Sequence, residues 1–187
     1  MIFGIDYSYT SPAICVLGEN FETSKFYFAN QNKKLCYNAL NYEGTLLEKD
    51  YADSVDRYEK ISLWAVSKIQ QHWVEGSKIY LEGYAFGARG GLLFNIAENG
   101  GMLKYHLKKA FGVHPIIVAP TAVKKDFSGK GNANKEGMVQ NLLDKEGINI
   151  VQWMQMNKLG SPAHDVVDSY AIALLGKHLE EIDNDKQ

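Results

Sequence analysis

The sequence lacks an excess of basic residues, because 20 Lys and Arg stand against 22 Asp and Glu and the formal net charge is -2. Overall charge therefore does not indicate a nucleic-acid partner, and such a partner would have to bind a local basic surface. The chain also lacks any apolar run close to the roughly 20 residues that span a bilayer. We expect a soluble protein with no membrane partner.

Cysteine is equally scarce. Cys15 and Cys36 are the two cysteines of the chain, with no CxxC pair and no Cys/His spacing typical of a zinc site. This pattern excludes a disulfide scaffold and predicts reduced thiols in a reducing compartment. The opening residues reach an acid at Asp6 and carry no basic leader, so we expect no signal peptide and a cytoplasmic location.

The 187 residues, 45% of them hydrophobic, fit a single domain with a full-sized core. Apolar runs and turn residues predict five strands, at 1–8, 13–17, 25–29, 78–82 and 114–119. Helical spacing predicts helices at 53–74, 92–110, 135–146 and 163–179. Residues 30–51 are predicted to be a loop elaboration and 180–187 a frayed tail. This order predicts an α/β fold with an antiparallel portion and parallel crossovers.

Three sequence patterns place acidic residues at positions where they could bind a metal ion or act in catalysis. Asp6 ends the first predicted strand, and Glu82 ends the strand at 78–82. Asp165 and Asp168 lie three residues apart at the start of the last helix, so they share one helix face. Each acid taken alone is more simply interpreted as a turn, cap or helix-dipole residue.

The helical pair is the stronger signal. The face of Asp165 and Asp168 continues through the apolar residues Ile172, Leu175 and Leu179, whereas the opposite face carries Ser169, Lys177, Glu180 and Glu181. Carboxylates at the rim of a core are costly unless something balances their charge, and no Lys or Arg lies within one turn of them. A hard cation, Mg²⁺ or Mn²⁺, would balance the charge of the carboxylates. Two such ions about 4 Å apart are suited to phosphodiester cleavage.

A flexible, lysine-bearing stretch at 124–135 is the candidate basic surface. It contains Lys124, Lys125, Lys130 and Lys135 among Gly and Asn residues, which let the backbone approach phosphates closely. An ordinary solvated turn is the alternative. Tyr84, Phe86 and Arg89 follow Glu82 in a Gly-rich turn, where an exposed aromatic ring can stack on a base or can pack on the core.

Two further features are weaker. The Gly-rich turn at 83–91 lacks the GK[ST] ending of a P-loop, so we expect no nucleotide cofactor. His164 precedes Asp165 and can assist at the metals or simply begin the helix.

Together these residues resemble the RuvC-type Holliday junction resolvases of the RNase H-like superfamily, in a divergent branch such as phage and other viral resolvases. The resemblance rests on four stretches in the family's order, namely 4–6, 81–82, 120–135 and 164–173. It implies a five-stranded mixed β-sheet flanked by α-helices, with Asp6, Glu82, Asp165 and Asp168 as the catalytic metal ligands. A phage-encoded chain would act in the bacterial host cytoplasm.

The resemblance also implies a homodimer whose two Mg²⁺-dependent sites nick opposing strands of a four-way DNA junction. It further implies DNA contacts from Lys124, Lys125, Lys130, Lys135, Arg89 and Phe86. Two features depart from the family: Tyr7 and Ser8 stand where Pro and Gly are common, and the segment 30–51 is long. A nuclease for other branched DNA or RNA–DNA hybrids, and a non-catalytic nucleic-acid-binding protein, remain alternatives.

Overall fold

The computed structural model describes residues 1–84 and 91–185, and within them six strands form one mixed sheet. The strands are β1 (Ile2–Asp6), β2 (Ala13–Val16), β3 (Lys25–Asn30), β4 (Tyr42–Leu46), β5 (Lys78–Glu82) and β6 (Ile116–Val118). Their order across the sheet is β4-β3-β2-β1-β5-β6. The pairs β1–β2 and β2–β3 are antiparallel, whereas β3–β4, β1–β5 and β5–β6 are parallel.

The helices are α1 (Ser54–Gln70), α2 (Gly91–Phe111), α3 (Pro120–Ser128), α4 (Lys135–Glu146), α5 (Ile150–Trp153) and α6 (Ala163–Asn184). Local sequence sets several of their ends. The side chain of Asp53 accepts a hydrogen bond from the Asp56 amide at the start of α1, and Asn134 does the same for Gly137 in α4. Gly147 ends α4 with a φ of 70°, a conformation that glycine adopts without strain.

Side-chain alternation along the strands separates two layers of core. Phe3 and Ile5 of β1 face α1 and α2, together with Ile79 and Leu81 of β5. The intervening positions, such as Tyr80, belong to the other layer, which α3 to α6 cover. The sheet is therefore buried on both faces, as expected when parallel crossovers place helices on each side.

The predicted mixed α/β sheet is confirmed, but it has six strands within the described residues rather than five. The additional strand, β4, lies in the segment 30–51 that was predicted to be a loop. It is a short edge strand in which only Tyr42 is fully buried, so it lacks a visible apolar alternation. Pairing with β3, and a hydrogen bond from Trp64 Nε1 to Thr45 Oγ1, stabilise it from outside the segment.

Two other predictions of local structure were wrong. The stretch 124–135 was predicted to be flexible, yet its first residues, to Ser128, belong to α3, which forms because Val123 and Phe127 lie one turn apart and are both buried. The tail predicted to fray from residue 180 remains helical to Asn184.

The prediction of which side chains of the last helix are buried and which are exposed was also wrong at two positions. Ser169, expected on the solvent side, is fully buried, and Leu179, expected in the core, is exposed. The reason is that α6 packs between the sheet and the layer of α3 and α4, so most of its circumference is buried along its first half. Among the described residues, none of the helices is both long and apolar enough to cross a membrane.

Candidate active site

Two of the predicted acids lie side by side at one edge of the sheet. β1 and β5 are parallel neighbours, and Ile5 pairs with Leu81. Asp6 and Glu82 are the next residues of their strands, so both stand at the carboxyl ends. Asp6 comes two positions after Gly4, and Glu82 comes two positions after Tyr80. Side chains two positions apart in a strand point to the same face of the sheet, so both acids lie on the face that α6 covers.

Helix α6 supplies the other two acids because it can approach β1 closely. A Cβ on Gly4 would lie within 3.0 Å of the Ser169 carbonyl oxygen and of the Ala173 backbone nitrogen. The strand and the helix are therefore in backbone contact at Gly4. This contact brings the first turns of α6, with Asp165 and Asp168, over the ends of β1 and β5.

The four predicted acids line one cavity of about 260 Å³. Lys124 of α3 and Lys135 at the start of α4 line the same cavity, so two ammonium groups face four carboxyl groups. The sequence showed no cation within one turn of Asp165 or Asp168. The two lysines reach the acids only because α3 and α4 pack against α6.

Burial and mutual repulsion perturb three of the acids. Burial, followed by the charges of Asp165, Asp168 and Glu82, raises the pKa of Asp6 well above its ordinary value. The pKa of Glu82 rises to about 7, mainly through burial and then through Asp168, while Lys124 and Lys135 oppose the rise. Burial likewise raises the pKa of Asp168 to about 6, against the effect of Lys135.

Asp165 is held by two serines that sequence reasoning missed. Ser11 Oγ donates to Asp165 Oδ2 at 2.8 Å, and Ser161 Oγ donates to the same oxygen. Ser11 is 154 positions away in the chain, and serine near a turn carries no signal of such a contact. The two bonds fix one oxygen of Asp165, which is almost fully buried.

Arg57, also missed, anchors the loop that follows Asp6. Its Nη2 donates to the Tyr9 carbonyl oxygen at 2.7 Å, and its guanidinium carbon lies 4.3 Å from the Tyr9 ring centroid and 5.0 Å from that of Tyr51. Arg57 is itself buried. A planar guanidinium between two rings orders the loop that carries Ser11 to Asp165.

The donor set suits a hard divalent cation. Every acid offers carboxylate oxygen, the ligand that Mg²⁺ and Mn²⁺ prefer, and burial followed by neighbouring carboxylates raises the pKa of three of the acids, so a cation there would favour their charged forms. Among the described residues, however, no three His, Cys, Asp or Glu side chains already form a group that could hold a metal ion. The chemistry of the donor set nevertheless fits a hard cation.

The predicted DNA-binding residues fall into three groups. Lys124 and Lys135 line the acidic cavity, whereas Lys125 and Lys130 are exposed and do not line it. Phe86 and Arg89 lie outside the described residues. Tyr84, the last described residue before them, donates from its hydroxyl to the Ala97 carbonyl oxygen at 3.3 Å.

His164 lies half-buried beside the cavity, and its Nε2 has no hydrogen-bond partner in the described part of the chain. Burial, and then the positive charge of Lys135, lowers its pKa. This environment favours the neutral imidazole. The two roles considered from the sequence, assistance at the metals and simply beginning the helix, are both untested.

The raised pKa values predict an unusual dependence of stability on pH in metal-free buffer. Folded Glu82 and Asp168 hold protons at higher pH than in the unfolded chain, where carboxyl groups titrate at about 4. Between about pH 4 and pH 7 the folded state binds more protons, so the free energy of unfolding falls as pH rises. We expect the melting temperature in EDTA to fall across this window.

The double variant Glu82→Gln/Asp168→Asn should show a flatter curve and a higher melting temperature than the parent at pH 8. Thermal melts at half-unit pH steps measure both quantities. Saturating Mg²⁺ should restore stability to the parent at pH 8 and not to the variant, because only the parent retains all four carboxylate ligands. Parallel curves for the two proteins would contradict the assignment of these acids.

The comparisons with known proteins were made by sequence and by structure. No protein-family model and no curated protein matches the sequence. RuvC from Thermus thermophilus is 17% identical, with a TM-score of 0.60 over 97% of this chain and 96% of that chain. T. thermophilus RuvC in complex with Holliday junction substrate is 16% identical, with a TM-score of 0.63 over 97% and 95% of the two chains.

The yeast mitochondrial Holliday junction resolvase is 17% identical, with a TM-score of 0.53 over 100% of this chain and 84% of that chain. These likenesses extend over nearly the whole chain at low sequence identity. They show that the chain has the fold of these proteins, so the predicted RNase H-like fold is confirmed.

Proposed function

We propose that this protein is a metal-dependent endonuclease that resolves four-way DNA junctions. One observation carries the proposal: Asp6, Glu82, Asp165 and Asp168 come from three separate elements and line one cavity. Phosphodiester cleavage by metal ions needs acids that converge from several elements in this way. The fold shared with junction resolvases supports the choice of DNA substrate.

In the proposed mechanism the four acids would hold Mg²⁺, or Mn²⁺ in its place, and we propose two ions for each site. When bound, the metal would supply a nucleophilic water and stabilise the leaving oxygen of the phosphodiester. Ser11 and Ser161 orient Asp165 by donating to its Oδ2. The ammonium groups of Lys124 and Lys135, which face the same cavity, bind the DNA phosphate at the acids.

Further DNA contacts are proposed outside the cavity. Lys125 and Lys130 extend the basic surface along α3 and the turn after it, and Arg89 and Phe86 contact the junction itself. A homodimer would present two sites to opposing strands, which paired nicking requires. Cys15 and Cys36 are free thiols, which suits the reducing cytoplasm where such DNA would be met.

A substrate panel tests the proposal directly. Labelled four-way junction, flap, Y-fork, RNA–DNA hybrid and linear duplex are each incubated with the protein in Mg²⁺, in Mn²⁺ and in excess EDTA. We expect symmetric nicks in the four-way junction with either metal, little cutting of linear duplex, and no cutting in EDTA. Product ends on sequencing gels give the positions of the nicks.

Each alternative function predicts a different result with the same set of substrates. Faster cutting of the flap, fork or hybrid than of the junction would replace the proposed substrate. Binding without cutting of any DNA in either metal would favour a non-catalytic protein. Cutting that persists in EDTA would overturn the metal mechanism itself.

A further inference from the structure

A groove beside Asp165 is not used by the mechanism above. It lies between the segment 32–37 on one side and the loop 155–161 on the other, with a volume of about 370 Å³. Ser161 lines the groove and also donates to Asp165 Oδ2. One end of the groove is therefore a single hydrogen bond away from a proposed metal ligand.

The floor of the groove is apolar and firmly supported. Leu35, Met156 and Leu159 line it, and the last two pack against the larger core cluster together with Tyr37. A flat aromatic ring from a ligand could lie on such a floor without displacing the core. Apolar lining with a few polar groups is typical of small-molecule and nucleobase sites.

The rim of the groove offers groups that recognise nucleotides. Lys34 and Lys158 are exposed, and neither has an ion-pair partner in the described part of the chain. The amides of Gln155 and Asn157 also line the groove, and neither has a hydrogen-bond partner among the described residues. Side-chain amides can pair with base edges through both donor and acceptor, and lysine binds phosphate.

The charged residues among the described lining of the groove are Lys34 and Lys158. No Asp or Glu is among the described residues that line the groove, so nothing there repels a phosphate.

The groove wall belongs to the part of the chain that sequence reasoning could not explain. The Cys36 Sγ lies 3.3 to 3.4 Å from the carbonyl oxygens of Asn30, Asn32 and Thr45, which orders the segment 30–37 against β4. Asn30 Nδ2 also donates to Ser161 Oγ at 3.5 Å. The segment is thus tied to the serine that holds Asp165.

We infer that this groove is a nucleotide-binding subsite, which takes one unstacked base of the DNA strand whose phosphodiester lies at the acids. The base lies on Leu35, Met156 and Leu159, its edge meets Asn157 and Gln155, and Lys34 and Lys158 bind the flanking phosphates. The inference rests on the proposed function for the identity of the strand. The subsite would give the nuclease a preference for one base at a fixed distance from the phosphodiester that is cut.

The first test measures binding in EDTA, where no DNA is cut. Lys34→Ala/Lys158→Ala is compared with Lys78→Ala/Lys109→Ala, a control that removes the same charge near the opposite edge of the sheet. We expect the groove variant to bind a four-way junction about tenfold more weakly, with a salt slope reduced by about 1 to 2. The control should bind like the parent. Equal affinities for the two double variants would overturn the subsite.

The second test measures base preference. Junctions with randomised base pairs near the crossover are nicked in Mg²⁺, and the product ends are sequenced. We expect the parent to prefer one base at a fixed distance from the nick, and Asn157→Ala to reduce that preference about tenfold. A parent without preference, or an Asn157→Ala variant that keeps it, would contradict the assignment of a base to the groove.

The two arms separate the inference from the proposed function. A parent protein that nicks no DNA would refute the nuclease, while the binding arm would still decide whether the groove holds a nucleotide. To this end the EDTA measurement is repeated with single-stranded oligonucleotides carrying 2-aminopurine at successive positions. Fluorescence that rises at one position with the parent but not with Asn157→Ala supports the subsite, and unchanged fluorescence at every position overturns it.

Discussion

Asp168→Asn is expected to reduce junction cleavage by about a thousandfold, and Asp6→Asn to do the same, while both variants still bind the junction. Each change replaces an anionic oxygen ligand by a neutral amide in the shared cavity. Loss of a metal that supplies several kcal/mol of transition-state stabilisation corresponds to roughly three powers of ten in rate, at about 1.4 kcal/mol for each. Single-turnover cleavage in Mg²⁺ measures the loss.

Binding should survive because the substitutions remove negative charge from the DNA-facing cavity. Burial and neighbouring carboxylates raise the pKa of both acids, so the neutral amide relieves repulsion and the variants should melt no lower than the parent. Lost cleavage cannot then be attributed to unfolding. Junction affinity in EDTA and the melting temperature are the two readouts.

Glu181→Gln is the matched control. It makes the same kind of change on the same helix, at an exposed position about 20 Å from Asp168 along the axis. This variant should cleave at the parental rate. Cleavage by Asp168→Asn at the rate of Glu181→Gln would show that the acids of α6 do not hold the metal.

Gly4→Ala is expected to lower the free energy of unfolding by about 3 kcal/mol and to abolish cleavage. The added Cβ would overlap the Ser169 carbonyl oxygen and the Ala173 nitrogen, and both are backbone atoms of a buried helix that cannot move aside alone. The strand and the helix must separate. That movement would also shift Asp6 away from Asp165 and Asp168.

Thermal or denaturant unfolding measures the first effect, which corresponds to a loss of roughly 10 °C in melting temperature for a chain of this size. Gly101→Ala is the control, because Gly101 is exposed in the middle of α2 and a Cβ there would meet nothing within 4 Å. It should raise stability by up to about 1 kcal/mol, since alanine favours the helix. A Gly4→Ala protein as stable as the parent would mean that β1 and α6 are not in backbone contact.

The sequence by itself determined the local features of the site. The alternation of side chains along a strand places Asp6 on the face of Gly4 and Glu82 on the face of Tyr80. The spacing of Asp165 and Asp168 puts them within one turn of a helix. Capping residues such as Asn134 also set the start of α4. These features depend on residues a few positions apart, and for that reason they can be predicted.

The features that the sequence left undetermined depend on packing between elements. The segment at Tyr42–Leu46 becomes a strand because β3 offers it an edge, and α3 becomes a helix because two of its residues are buried against α6. The strand segment shows no apolar alternation of its own, and the helical spacing in α3 rests on the single pair Val123 and Phe127. Tertiary context thus overrode local propensity in both places.

The surroundings of the acids were decided by tertiary structure alone. Ser11 and Asp165 are 154 positions apart, and Lys135 reaches the cavity only because α4 packs on α6. Helical spacing in the sequence could therefore nominate Asp165 and Asp168, and the resemblance in ordered motifs added Asp6 and Glu82 as their candidate partners. The serines that hold Asp165, and the approach of Lys124 and Lys135 to the acids, could not be predicted, because no periodic pattern encodes a contact between distant loops and helix ends.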